Sequence, residues 1–247
     1  RQDLRLADNP ALSKSLEEGK TLPIFIFDNV NSKEHINGAA SKWWLHHSLT
    51  KLNKSLKNKL VFFRGNPIDI LDEINNQFEV SNIFWNRCYE PWRIKRDKKI
   101  KKYFNEKDIN VDTFNGSLLW EPWNIAKKDG TPYKVFTPYY RKGCLNSDKP
   151  RMPLPVPNLS NLISIENHDL KIEDLELMPK HNWYNKMISL WSPGEEGAHS
   201  KIEEFISNGL NNYKEGRNFP SNQNVSQLSP HLPFGEVSPN QVWYRAK

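Results

Sequence analysis

The sequence predicts an α/β protein: a doubly wound parallel five-stranded sheet, its first strand largely missing, followed by a linker and the start of an all-α segment. Three observations carry this. Over the first 145 residues short apolar runs alternate with helix-period segments, the βαβα rhythm of a parallel sheet covered by helices on both faces. Pro150, Pro153, Pro155, Pro157 and Pro179 then punctuate a stretch without sustained periodicity. From Ser192 onward helical periodicity returns without strands.

The elements follow in order. Arg1–Leu6 reads as the exit of a strand, and Asp8-Asn9-Pro10 starts the first helix. A doubly wound sheet sets its first strand centrally, so further residues are expected upstream. Leu22–Asp28 (LPIFIFD) is a continuous apolar run ended by an acidic turn residue, hence a buried strand. Gly38–Leu60 is a long helix: Trp44, Leu45, Leu49, Leu52 and Leu56 recur at helical spacing with lysines opposite. Val61–Arg64 is the next strand, and Asn66-Pro67 caps the helix after it. Asn82–Asn86 is a strand, Arg93–Lys107 a basic helix and Ile109–Phe114 the last strand. Thr137-Pro138 starts a short helix ending near Gly143. The proline-rich stretch reads as a linker wrapped over the surface. Glu195–Tyr213 is helical, with Ala198, Ile202, Phe205, Ile206 and Leu210 on one face. Ser229-Pro230 and Ser238-Pro239 both read as helix starts. The expected division is 1–145 for the α/β unit, 146–184 for the linker and 185–247 for the helical segment.

Composition narrows the class. A chain of 247 residues buries a core without disulfides or metals. Cys88 and Cys144 make no disulfide framework, and there is no Cys/His cluster with zinc spacing, which fits a reducing cytoplasm. No run approaches 18 consecutive apolar residues, so no membrane span is expected. The first residues lack a methionine and do not form a signal peptide, and the chain stops inside the helix started at Ser238-Pro239, so truncation at both ends is expected. The net charge of +6 permits a polyanionic partner such as DNA without proving one.

Several segments, in order, resemble the DNA photolyase/cryptochrome family, and most of all a bacterial class I cyclobutane pyrimidine dimer photolyase. They are RQDLRLADNPAL, GAASKWWLHHSL, WNRCYEPW, GTPYKVFTPYYR, WSPGEEGA and YKEGRNFPSNQNVSQLSPHLPFGEVSP, together spanning nearly the whole chain. The resemblance implies that residues 185–247 begin a helical FAD-binding domain and that the α/β domain holds an antenna chromophore. It implies light-driven repair of pyrimidine dimers in DNA, a soluble monomer, and a lesion flipped out of the duplex. A cryptochrome-type blue-light photoreceptor is the alternative. Methenyltetrahydrofolate is the expected antenna and a deazaflavin the alternative.

Candidate site residues come residue by residue. Val225, Ser226, Gln227, Leu228 and Ser229 resemble the family's flavin-phosphate loop, with Val225 where the family has Thr. Ser226 and Ser229 offer hydroxyls, and amides ahead of Pro230 suit an anion. On spacing alone Ser229 before Pro230 reads first as an N-cap that needs no ligand, and the resemblance is what favours the phosphate loop. Tyr213 resembles the family tyrosine on the flavin's phosphate side; without the motif it is an aromatic covering core. Arg217 matches a family arginine near DNA; alone it is solvated surface. Asn86, Glu90 and Trp92 lie beyond a strand's C-terminal end, where ligands sit in such sheets. With Trp43 and His46 they are candidates for the antenna site, although Trp43 and Trp44 read as well as helix packing. The Arg93–Lys107 run, eight basic residues against two acidic, reads as a solvated face. The resemblance places the relay tryptophans and lesion-pocket residues beyond Lys247, so no catalytic residue is expected in this chain.

Overall fold

The computed structural model describes all residues except Arg1, Lys33, Glu34, Ile36 and Asn167, so the first residue of the RQDL segment lies outside the described residues. Helix α1 (Pro10–Glu18) starts where Asn9 accepts a hydrogen bond from the Leu12 amide at 3.2 Å with Pro10 in the first turn. Then come β1 (Ile24–Phe27), α2 (Ala39–Ser55), β2 (Val61–Arg64), α3 (Pro67–Phe78), β3 (Asn82–Asn86), α4 (Pro91–Asn105) and β4 (Asn110–Phe114). The Asn66 side chain caps α3 by accepting from the Ile68 amide at 3.3 Å. After β4 the chain makes a short turn α5 (Phe136–Pro138) that runs into a π-helical turn, Tyr139–Gly143. The last part holds α6 (Asn185–Leu190), α7 (Glu195–Glu204), α8 (Tyr213–Gly216), α9 (His231–Phe234) and α10 (Pro239–Arg245).

All strand pairing is parallel, as the alternation of strand and helix requires. β1 pairs with β2, Ile24 opposite Val61, and β3 pairs with β4, Asn82 opposite Asn110. The single five-stranded sheet of the sequence reading is thus seen as two pairs: β1 and β3 do not pair, and Gln2–Leu6 form no strand among the described residues. The inner edges of β1 and β3 face one cleft of about 1230 Å³. Each pair has its own core. Leu45, Leu49 and Leu56 of the α2 region pack with Leu4, Leu6 and Phe62, while Trp85, Ile100, Phe104, Ile109 and Val111 fill the space between α4 and the second pair. Burying a leucine such as Leu49, which has no exposed surface, contributes about 1.5–3 kcal/mol.

The segment read as a surface linker does more than wrap. Leu162, Leu175 and Leu177 are buried in the first core, and Thr21 bridges Leu162 in parallel. Single leucines at irregular intervals leave no periodic signal, which is why the sequence shows only a linker.

Three carboxylates, Asp8 and Glu236 buried and Glu195 part-buried, lace the α/β part to the helical part. Asp8 accepts from the Leu154 amide (2.9 Å), the Ser238 hydroxyl and Arg151. Glu195, in the first turn of α7, accepts from the amides of Leu6 (2.8 Å) and Ala7 (2.9 Å). Glu236 accepts from Trp44 Nε1 (2.9 Å), the Gly194 amide (2.7 Å) and the Ser48 hydroxyl, and meets His231 Nδ1 at 2.5 Å. Buried Arg5 donates to the carbonyls of Gly235 (2.9 Å), Gly116 (2.6 Å) and Asp8 (2.7 Å), joining three distant segments. Buried charges persist only when paired and hydrogen-bonded in this way.

Candidate functional site

The loop after α8 is held from below. Asn224 is buried and donates to the Gly209 carbonyl at 3.2 Å, and a Cβ at Gly216 would lie 2.2 Å from Asn224 Oδ1, so only glycine fits there. Leu228 plunges into a small core with Ala198, Ile202 and Val237. Between these anchors Val225, Ser226 and Gln227 stand at the surface of a cavity of about 300 Å³. Its other walls are Leu190, Trp191, Lys201, Glu204, Phe205 and Gln223. Gln227 adopts a left-handed φ of 53°, uncommon for a residue with a side chain and often found at binding sites. Ser226 Oγ lies 3.5 Å from the Leu228 amide, at the limit of a hydrogen bond, which leaves the hydroxyl free to take a better partner.

The six residues assigned to the cofactor from sequence are therefore only partly gathered. Val225, Ser226 and Gln227 line the cavity, Leu228 is the anchor beneath it, and Ser229 is exposed beside it. The N-cap alternative for Ser229 is not what forms. The amides of His231 and Leu232 turn back to the Leu228 carbonyl at 3.0 and 2.9 Å, and α9 begins only at His231 without a side-chain cap. Tyr213 meets Phe205, a cavity wall, edge-on at 5.8 Å, and Arg217 lies 5.4 Å over the Tyr213 ring with Nη1 3.4 Å from its hydroxyl. Lys201, Trp191 and Glu204 were not assigned from sequence. Lys201, three residues after Ala198 and four before Phe205, falls along the predicted apolar face and nothing local marks it; Trp191 lies in the family-like WSPGEEGA segment but is a plain aromatic there.

A second candidate site lies at the C-terminal ends of β1 and β3. Trp92 stacks on His35 at 5.6 Å, with the guanidinium carbons of Arg93 and Arg96 at 5.1 and 5.2 Å from its centroid. Arg96 also pairs with Asp28, just past β1, at 3.1 Å. Glu90 accepts from Gln2 at 2.9 Å and pairs with Arg93, Nε to Oε1 3.7 Å, while Glu90 Oε2 and Arg93 Nε are buried without a hydrogen bond. Buried polar atoms with no hydrogen bond beside an aromatic platform suit a polar aromatic ligand. Asn86 serves the fold: its amide donates to Asp3 (2.9 Å) and Asn9 (2.7 Å), and its oxygen takes the Ala11 amide at 3.4 Å.

Trp43 and His46 are not brought to Trp92. Trp43 is buried among His47 (4.7 Å), Trp44 (6.2 Å) and Tyr184 (6.4 Å), facing the 181–191 segment. Trp43 Nε1, His46 Nδ1 and His47 Nε2 are buried there without protein partners. Burial holds both imidazoles below their ordinary value. Arg93 and Arg96 were read as part of a solvated basic face; the inward turn of the first half of α4 corrects this for those two, while Lys95, Lys98, Lys99, Lys101 and Lys102 are exposed. Among the described residues no group of three or more metal-ligating side chains is found, and no helix is long and apolar enough to cross a membrane.

Comparison with known proteins agrees with this architecture. The family model of DNA photolyase matches residues 1–158. A deoxyribodipyrimidine photo-lyase of Agrobacterium fabrum is 36% identical over the whole chain, which covers 52% of that protein. Cryptochrome-2 of Arabidopsis thaliana is 31% identical over the whole chain, covering 42% of it. The crystal structure of a bacterial class III photolyase from Agrobacterium tumefaciens superposes with a TM-score of 0.90 at 36% identity, the chain covering all of itself and 52% of that structure. The chain belongs to the DNA photolyase family. It spans about half the length of the curated relatives it matches. The class I assignment finds no support in these relatives, one of which is described as class III.

Proposed function

We propose that the chain is the antenna-carrying α/β domain (1–145), interdomain linker (146–184) and first part of the FAD-binding domain (185–247) of a deoxyribodipyrimidine photolyase. The full protein repairs cyclobutane pyrimidine dimers in DNA by light-driven electron transfer from reduced FAD. The observation that carries this is the 225–229 loop, pinned by Leu228 and Asn224 and presenting Ser226 and a left-handed Gln227 to a cavity that also holds Lys201. A hydroxyl and a lysine, Lys201, here paired with Glu204 at 2.8 Å, are donors that a phosphate group accepts from, so the residues present fit the phosphate side of a flavin dinucleotide. Bound FAD supplies the photochemistry. The chain's own share is to hold and orient: Ser226, Gln227 and Ser229 toward phosphate, Tyr213 packed beside them, and Leu228 keeping water from below. Val225 contributes a backbone amide where a threonine would add a hydroxyl.

Trp92, Glu90 and the neighbouring arginines are the better half of the antenna assignment, with methenyltetrahydrofolate the occupant and a deazaflavin the alternative. Arg217, exposed and free at one edge, is assigned to DNA. The 31% identity to a cryptochrome favours, as a second reading, a blue-light receptor built on the same flavin cage. The test is repair. The full-length protein with reduced flavin should convert dimer-bearing oligonucleotides to intact pyrimidines under blue light and do nothing in the dark; dimers left intact after illumination overturn the repair reading in favour of the receptor.

A further inference from the structure

We infer that the segment Trp123–Leu145 is a second DNA-contacting surface, one that lies outside the helical part and extends the footprint of the protein onto the end of the α/β domain. It rests on the DNA reading given above. The segment is a small folded unit. Lys127 and Thr131 close a tight turn, the Lys127 amide donating to the Thr131 carbonyl at 2.9 Å. Ile125 and Tyr133 press on Gly143, where a Cβ would lie 2.6 Å from Ile125 Cγ2. That packing fixes the helical run from Phe136 through the π turn, and π turns recur at functional sites.

What the unit displays is unusual for a solvated loop. Phe136 is 73% exposed and stacks parallel on Tyr140, centroids 5.8 Å apart and planes within 4°, so one ring face is open. Trp123 is 61% exposed with Arg87 5.7 Å from its ring centroid. In the same segment Lys128, Lys134, Arg141 and Lys142 are all exposed and form no ion pair among the described residues. Asp129, the acidic residue of the turn, is folded back onto the Thr131 hydroxyl (2.7 Å) and amide (3.0 Å).

Two occupants compete, more polypeptide or nucleic acid. The buried centre of a protein interface is depleted in lysine, whereas here three lysines and an arginine without ion partners among the described residues share one short segment with the exposed rings. Open aromatic faces interleaved with unpaired cations match the chemistry of nucleic acid, phosphates taking the cations and a base or sugar taking the ring.

The test uses the full-length flavoprotein and a duplex carrying one thymine dimer, with affinity measured by fluorescence anisotropy across salt concentration. Lys134→Ala/Arg141→Ala/Lys142→Ala should reduce the slope of log affinity against log salt by about 2–3, since each lost phosphate contact removes about 0.9. Phe136→Ala should weaken binding roughly fivefold or more and keep the slope. Lys98→Ala/Lys99→Ala/Lys102→Ala on α4 should change neither. All variants should retain the wild-type flavin absorbance, which reports folding. A wild-type slope in the first variant with DNA binding intact overturns the surface alone, as does an equal loss from the α4 variant. Wild-type protein that binds no DNA overturns the surface and the DNA reading together.

Discussion

Replacing Glu236 with alanine removes the acceptor that joins three segments. Glu236 has no exposed surface, and its carboxylate takes Trp44 Nε1 and Ser48 of α2, the Gly194 amide ahead of α7, and His231 of α9. In Glu236→Ala the indole and amide donors lose their acceptor, while the Ser48 hydroxyl keeps the Trp44 carbonyl at 3.0 Å, and an orphaned buried donor costs about 1–3 kcal/mol. These costs are not additive, because the space left admits water and the charge itself is gone. Removing one partner of a buried ionic network costs about 3–5 kcal/mol, the magnitude expected here. Glu236→Gln keeps one oxygen for Trp44 and Gly194 and places an amide against His231, so about 1–2 kcal/mol is expected. The assay is urea unfolding of the full-length apoprotein by tryptophan fluorescence, with Trp44 packed against His231 at 5.1 Å as a reporter of the seam. An alanine variant within about 0.5 kcal/mol of wild type, the ordinary range of neutral surface substitutions, refutes the reasoning. So does a glutamine variant as damaged as alanine.

Three further outcomes are expected. In the full-length protein Val225→Thr should tighten FAD binding about 2- to 10-fold and Ser226→Ala should weaken it by a similar factor, each change being one hydrogen bond; flavin fluorescence titration that moves neither counts against the loop assignment. Gly235→Ala should destabilise the fold strongly, because φ is +65° and a Cβ would lie 2.0 Å from the Gln2 carbonyl oxygen, a clash with backbone; a melting temperature equal to wild type contradicts it. Burial holds His46 and His47 below the ordinary imidazole value. Below about pH 6.5 the unfolded chain therefore takes up protons that the fold refuses, and stability falls as pH drops. Thermal melts between neutral and mildly acid pH should show this loss, and His46→Gln/His47→Gln should flatten it; a fold that gains stability from those histidines on acidification refutes the assignment.

Local elements were legible because their causes are local. β2 and β3 match the apolar runs Val61–Arg64 and Asn82–Asn86 to the residue, and the Asn9 and Asn66 caps form as their Asn-Pro spacing implies. Ser238 likewise caps α10, accepting from the Gln241 amide at 3.0 Å. What the sequence hides is long-range. The helix read over Glu195–Tyr213 breaks into α7, a π turn and a 3-10 turn where Gly209 approaches Asn224, a residue from another loop. The burial of Leu162, Leu175 and Leu177, and the carboxylate seams of Asp8, Glu195 and Glu236, depend on partners tens to hundreds of residues away. At the candidate sites the loop motif pointed to Ser226 and Gln227. Lys201 and the Arg93–Trp92–Arg96 stack come together only once helices set their faces.

The most direct measurement is a crystal structure of the full-length protein with its flavin. The account predicts a phosphate oxygen within about 3.2 Å of Ser226 Oγ or of an amide between Ser226 and Ser229, hydrogen-bonding distance. A flavin whose phosphates lie elsewhere, with that loop facing only solvent, contradicts it.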